Sequence, residues 1–340
     1  MITTRDLAAL AGVSQSTVSR ALRDRPEISL ETRERIRNLA KQHGYIVRSG
    51  RHRTTATAER RTIAILTSDI VEMDAYLIAL CNAISQFITQ ENYFPLLLIY
   101  KDEFLLSRTT ELISTKQIDG FIIIKREFEE EVHRYLTELN IPQVYIHYFN
   151  RYALNAINLI DTDQYLGGYL ATRHLLERGH RNILTLTSEG REFEDRTSGY
   201  FAAMRDAGLH ANNDNVVCIS RSYDDGYNFV MQNRDLIDCN TALFVQNDPG
   251  AIGCINALMD CSIHVPNDFS VIGFDGIEAG RYCRPQLTTV IQPYEDLARA
   301  ALTHLLQRIG GANDKAIRTF IQPTIVERSS TASIVKGSIV

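Results

Sequence analysis

The chain has 340 residues, 44% of them apolar and 23% charged, the proportions of a soluble globular protein too long for a single core of ordinary size. No run of about eighteen uninterrupted apolar residues occurs, which excludes a membrane-spanning helix, and the early acid at Asp6 with no apolar segment before it is not the pattern of a secretory signal. Charge is uneven: residues 1–61 hold thirteen Lys/Arg against six Asp/Glu, a net +7, so the overall −5 leaves −12 on residues 62–340, which suits a head that binds a polyanion on a body repelled by it.

The head is expected to be three short helices. Thr3 and Asp6 have the spacing of a helix start, Leu7, Ala8, Leu10 and Ala11 give an apolar face, and Gly12 ends the helix. Val13 plugs the turn, and Ser14 caps a second helix over 15–22 that buries Val18, Ala21 and Leu22. A third, capped by Ser29 and running over 30–43, buries Ile36, Leu39 and Ala40 and is closed by Gly44, with Tyr45 packing back. A short glycine-containing turn between the first two helices is the helix-turn-helix arrangement. The outer face of the second helix decides between a packing module and a DNA reader. It carries amides, hydroxyls and a guanidinium and no acid. Gln15, Ser16 and Arg20 suit base edges, and Ser14, Thr17 and Ser19 suit phosphates beside a positive helix end. Thr3, Arg23, Arg48 and Arg51 complete the expected DNA-binding set.

The run Ala11-Gly12-Val13-Ser14-Gln15-Ser16-Thr17-Val18-Ser19-Arg20, with Thr4-Arg5-Asp6-Leu7-Ala8 before it and Gly44-Tyr45 after it, resembles the head of the LacI/GalR family. The resemblance implies that Gln15, Ser16 and Arg20 read the major groove of an operator half-site, and that a homodimer binds an approximately palindromic double-stranded operator. Residues 46–61 depart from the family. Ile46-Val47 replaces its Pro-Asn pair, Gly50 stands where its hinge helix runs, and no apolar side chain larger than alanine lies between Arg48 and Arg61. A minor-groove wedge needs such a group, so this linker is expected to contact phosphates without sharp bending of the DNA.

From residue 62 short β-branched runs alternate with amphipathic segments. Strands are expected over 62–68, 94–100, 118–124, 142–148, 157–162, 182–188, 215–220, 241–247 and 270–275, with helices between most of them. The fold class is α/β: parallel sheets in two lobes behind an all-α head. The expected divisions are 1–46, the helix-turn-helix domain; 47–61, the linker; 62–328, the two-lobed effector and dimerisation domain; and 329–340, a disordered tail. Residues 163–168, 174–183, 196–200, 247–248, 271–275 and 285–290 resemble the family's effector core, which is similar to periplasmic sugar-binding proteins.

Ligands in open α/β sheets sit at the carboxyl ends of strands, which singles out Asn247, Asp248 and Asp275. Asp248 also fits a helix start, with Pro249 following. The resemblance implies that Asp275 accepts from ligand hydroxyls or amines, that Arg196 grips the ligand, and that Tyr76 and Tyr223 stack on it; core packing is an equal alternative for both tyrosines. Gln292 is a further pocket candidate. Lys125 and the neighbouring Arg126 suit an acidic or phosphorylated effector, or a solvated loop. Paired donors and acceptors with aromatic faces match a sugar or its derivative, with a nucleobase-like molecule second.

The rival classes are an α/β enzyme and a solute-binding protein acting on a carbohydrate. The chain has no G-x-G-x-x-G, phosphate-binding loop, G-x-S-x-G or H-E-x-x-H motif, so neither catalysis nor a cofactor is expected. Its nine histidines and six cysteines lack metal-ligand spacing, and the cysteines read as free thiols of a reducing cytosol, giving an expected cytoplasmic location.

Overall fold

The computed structural model describes residues 4–22, 27–42, 61–67, 75–99, 118–124, 135, 138, 141–147, 157–311 and 315–334. They divide into two compact units, 1–59 and 60–340. The first contains helices α1 (Thr4–Ala11), α2 (Gln15–Leu22) and α3 (Leu30–Gln42). Leu7, Ala8, Ala11, Val18, Ala21, Ile36 and Ala40 form its core, with Val13, Leu22 and Leu39 against it. Leu10, expected on the buried face, is instead exposed. Gly12 ends α1 at φ +64°, a conformation that only glycine adopts without strain. Ser14 Oγ accepts from Thr17 N at 3.1 Å and Ser29 Oγ from Thr32 N at 3.3 Å, so both serines cap as the sequence indicates. The Arg35 guanidinium adds a bond to the Ala11 carbonyl at the end of α1.

The second unit holds two six-stranded sheets. The first lobe contains β1 (Thr62–Thr67), α4 (Ala75–Gln90), β2 (Phe94–Ile99), β3 (Gly120–Ile124), β4 (Gln143–Ile146) and β5 (Leu159–Thr162). Continuous apolar runs such as Gly120-Phe-Ile-Ile-Ile124 are buried on both faces, as parallel strands between covering layers must be. The chain then crosses to the second lobe. There α5 (Gln164–Glu177), β6 (Ile183–Thr187), α6 (Arg191–Asp206), β7 (Val216–Cys218), α7 (Tyr223–Gln232), α8 (Arg234–Asp238), β8 (Ala242–Val245), α9 (Asp248–Asp260), β9 (Ser270–Asp275) and β10 (Thr288–Ile291) follow. A second crossover leads to α10 (Tyr294–Ile309), which packs on α4 and on β3 to β5, and to β11 (Arg318–Ile321) beside β5. A third returns the chain to β12 (Thr324–Val326), antiparallel to β10.

The first sheet runs β11-β5-β4-β3-β1-β2 and the second β12-β10-β9-β8-β6-β7. Nine strands were expected from the sequence; β10, β11 and β12 are additional, and β12 makes the second sheet mixed. The tail expectation needs correction for residues 329–334. Val271 N donates to the Ser330 carbonyl, Ser330 Oγ receives Thr288 N at 2.8 Å, and Ile334 N reaches the Arg178 carbonyl. Ser330 and Thr331 are buried, because their side chains satisfy strand-end groups that would otherwise be orphaned.

Two helix pairs pack backbone to backbone. A Cβ on Gly168 of α5 would lie 2.0 Å from the Arg196 carbonyl of α6, and one on Gly253 of α9 would lie 2.0 Å from the Tyr223 carbonyl of α7. These approaches fix where Arg196 and Tyr223 stand.

Candidate effector cleft and DNA-facing helix

On α2, Gln15, Ser16 and Arg20 are exposed and Thr17 is half-buried. Ser14 Oγ lies 2.7 Å from Ser16 Oγ and 2.8 Å from Thr17 Oγ1, so the hydroxyls at the helix start form one cluster. The helix has no acid in its first turn and Arg20 in its last. Thr3, Arg23, Arg48, Arg51, the Ser19 side chain and the proposed wedge-free linker lie outside the described residues.

In the second lobe Arg196 is 3% exposed and held from all sides. Its Nε donates to Gln164 Oε1 at 2.8 Å, its Nη1 donates to the Gln246 carbonyl, and its Nη2 lies 3.6 Å from Asp275 Oδ1. The guanidinium carbon stands 3.7 Å from the Phe274 ring centroid and 4.8 Å from that of Phe193, a cation–π stack that fixes its plane. The adjacent Asp195 pairs with Arg191 at 3.0 Å. Asp275 ends β9 at φ +114°, a strained conformation for a residue with a Cβ. Its Oδ1 receives Gln292 Nε2 at 2.8 Å.

Asn247, not Asp248, caps α9, its Oδ1 receiving Gly250 N at 2.8 Å. Asn247 Nδ2 is buried and has no hydrogen-bond partner among the described residues. The Asp248 side chain is directed elsewhere: Oδ1 accepts from Thr289 Oγ1 at 2.6 Å and Oδ2 from Ile277 N at 2.8 Å. Burial, then the charge of Asp275, push its carboxyl well above the usual range, against the pull of those hydrogen bonds. Tyr223 opens α7, is 44% exposed and is therefore not a core residue; burial of part of its ring, with Asp248 nearby, raises its phenol.

In the first lobe Tyr76 is buried near the start of α4, and its hydroxyl lies 2.7 Å from His147 Nε2. His147 Nδ1 lies 2.7 Å from Asp161 Oδ1, which also accepts Thr162 N. A carboxylate only accepts, so Nδ1 donates to Asp161 and, in the neutral ring, Nε2 accepts from Tyr76. His147 has φ +57° directly after β4. Thr67 Oγ1 at the end of β1 and Thr162 Oγ1 at the end of β5 are buried without a partner among the described residues. Asp161 also acts across the lobes. Burial raises the Asp195 carboxyl, Arg191 pulls the other way, and the Asp161 charge adds to the rise.

The fold thus brings Arg196, Asp275 and Gln292 into one network, with Asn247 directly after the Gln246 carbonyl that Arg196 engages, and sets Tyr76 with His147 in the first lobe. Asp248 is turned into the lobe, and Lys125 lies outside the described residues. Gln164, His147 and Asp161 were missed in the sequence, although His147 and Asp161 obey the same strand-end rule that singled out Asp275.

The model of the bacterial regulatory proteins of the lacI family matches residues 3–47, and a periplasmic binding protein-like domain matches residues 172–331. The HTH-type transcriptional repressor PurR of Haemophilus influenzae is 30% identical, with 98% of this chain aligned to 100% of that one. A LacI family transcriptional regulator from Enterococcus faecium with bound ribose has a TM-score of 0.68 at 25% identity, over 81% of this chain and 100% of that one. The lac repressor dimer bound to operator and the anti-inducer ONPF has a TM-score of 0.71 at 23% identity, over 97% and 99%. With this sequence relationship over nearly its full length and with this fold, the chain belongs to the LacI family of DNA-binding transcription regulators.

Proposed function

We propose that the chain is a repressor that binds a near-palindromic operator as a homodimer, its affinity set by a sugar or sugar derivative held between the lobes. The observation that carries this reading is the set of buried polar groups at the strand ends, Thr67 Oγ1, Thr162 Oγ1 and Asn247 Nδ2, which have no hydrogen-bond partner among the described residues, together with the Arg196–Asp275 pair. Buried hydroxyl and amide groups without partners are costly, and a polyhydroxylated molecule supplies their hydrogen bonds. The ribose bound to the Enterococcus regulator has this chemistry. Arg196, Asn247, Asp275 and Gln292 form the second-lobe side of the site, Tyr76 the first-lobe side, and Tyr223 the aromatic wall. In the head, Gln15, Ser16 and Arg20 read bases while Ser14 and Thr17 meet phosphates. Lobe closure changes the spacing of the two heads in the dimer, so effector and operator affinities are reciprocally coupled.

A thermal-shift screen of the full chain against pentoses, hexoses, sugar acids and sugar phosphates tests the ligand class. A ligand at about a hundred times its Kd adds roughly 2.7 kcal/mol to stability. An operator selected in vitro then tests the head: Arg20→Ala should weaken specific binding about 10- to 100-fold. Deleting residues 1–61 should abolish operator binding and leave the ligand shift intact. No shift with any sugar overturns the effector reading; unchanged DNA affinity in Arg20→Ala overturns the recognition helix. Turnover of a bound carbohydrate by the truncated chain favours an enzyme.

A further inference from the structure

Four buried residues form a closed ring through their side chains where the chain changes lobes: Arg196, Gln164, Gln292 and Asp275. Arg196 Nε donates to Gln164 Oε1 at 2.8 Å; Gln164 Nε2 donates to Gln292 Oε1 at 3.0 Å; Gln292 Nε2 donates to Asp275 Oδ1 at 2.8 Å. The Asp275–Arg196 ion pair closes it. The direction of every bond is fixed by the ends. A guanidinium only donates and a carboxylate only accepts, so each amide must turn its oxygen toward the arginine and its nitrogen toward the aspartate.

The two amides occupy the crossovers themselves. Gln164 is the first residue of α5, directly after the segment leaving β5, and Gln292 lies between β10 and α10. Backbone bonds also anchor these crossovers: Asp163 N donates to the carbonyl of Ile321, where β11 runs into the third crossover, and Gln292 N donates to the Asp275 carbonyl at the end of β9. Relative movement of the lobes has to change dihedral angles in these segments. Arg196 and Asp275, by contrast, stand on α6 and β9 of the second lobe.

We propose that Gln164 and Gln292 form a two-amide latch between the crossovers and act as positioning residues for Arg196 and Asp275. A ligand that draws hydrogen bonds from those charged groups then also sets the lobe angle. That last clause rests on the effector reading above; the latch itself is testable without any ligand. Gln292→Glu places a second carboxylate against Asp275 and leaves the ring with one donor too few. Asp275→Asn combined with Gln292→Glu restores it. The amide introduced at position 275 donates to one oxygen of the carboxylate introduced at position 292. The other carboxylate oxygen accepts from Gln164 Nε2, and the net charge of the ring is unchanged.

Hydrogen–deuterium exchange of the full-length, ligand-free chain reads the outcome in peptides covering 159–165, 288–293 and 318–324. Gln292→Glu should speed exchange about tenfold or more in all three, including the Gln164 segment 128 residues away in sequence. The double variant should return to within about threefold of the parent. Gln164→Met, which removes both bonds at similar volume, should loosen 288–293 while leaving β1, β3, β6 and β8 away from the crossovers protected, and it serves where Gln292→Glu does not fold. Changes confined to the substituted crossover, or a double variant as loose as the single one, overturn the latch. If the latch holds and no sugar stabilises the parent chain, only the effector reading fails.

Discussion

Asp275 and His147 sit in the same kind of place, directly at or after the end of a parallel strand, and both have positive φ. Such a conformation costs about 1–3 kcal/mol for a residue with a Cβ and persists only where its surroundings hold it. Gln292 and Arg196 hold Asp275; Tyr76 and Asp161 hold His147. Asp248 is different in kind. Its backbone is helical and its carboxylate bridges β10 and the turn after β9, through Thr289 and Ile277. Its carboxyl is raised by burial, so the ionised form is the one the fold resists. The stability this group contributes is full below its unfolded value near 3.8 and is lost as pH rises through its raised folded value. Asp248→Asn removes that loss, and the Thr289 hydroxyl is free to turn and accept from the new amide. Thermal melts at pH 7 should therefore show Asp248→Asn as stable as the parent or more so. Asp248→Ala, which leaves the Ile277 N–H unpaired, should lose about 2–3 kcal/mol. Equal losses in both variants would show that the negative charge itself is needed.

At the scale of elements, the packing of α5 on α6 sets the cleft. Gly168 permits the two backbones to touch, and the atom a methyl group would strike is the carbonyl of Arg196. Gly168→Ala should cost about 1–3 kcal/mol from overpacking and displace the guanidinium from Phe274. A melt combined with the ligand shift distinguishes this from loss of stability alone, since the ligand shift should shrink while secondary structure is retained. A neutral Gly168→Ala would mean the helices separate without effect on the site. How far these elements were legible depends on the strength of local signals. The head could be read almost residue by residue because caps and glycine turns are local chemistry; Ser14, Ser29 and Gly12 all act as their types suggest. Leu10 could not, since its exposure depends on where a neighbouring helix crosses. Long buried strands were visible as apolar runs. β11 and β12 were not, because both are short edge strands that stay partly exposed and lack the buried apolar run that marks β4 and β8. The latch was hidden for another reason: Gln164 and Gln292 are ordinary polar residues 128 positions apart, and only the crossover topology brings them together.

At the scale of the molecule, the second lobe is closed by its own C-terminal segment. His174 Nε2 shares a hydrogen bond with Thr331 Oγ1 at 2.9 Å, and His180 lies against Thr241, Ser270 and the Ala332 carbonyl. Arg178, between them, pairs with Glu327 and bonds the His174 carbonyl. Burial first, then the Arg178 charge, lowers His174 to about 4, with Glu327 opposing and His180 adding to the fall. Burial lowers His180 as well, against its bond to Ala332. Both rings therefore take up protons less readily in the fold than when it opens. The His174 contribution is complete above the unfolded histidine value near 6.5 and is lost as pH falls toward 4, and that of His180 falls in the same direction. Asp248 changes stability in the opposite direction over part of this range, so the comparison has to be between chains that share it. Urea melts of the parent and His174→Gln from pH 7 to pH 4 should diverge. The parent should lose about 2 kcal/mol more than the variant over that interval, after allowance for solvent screening. Parallel curves would mean that His174 does not carry the acid sensitivity of the contacts that hold residues 327–334. Loss of protection at residues 327–334 in the parent at pH 5, absent at pH 7, would place the first opening of the lobe at this segment and not at the crossovers, because the groups that change charge there are the two histidines that hold it.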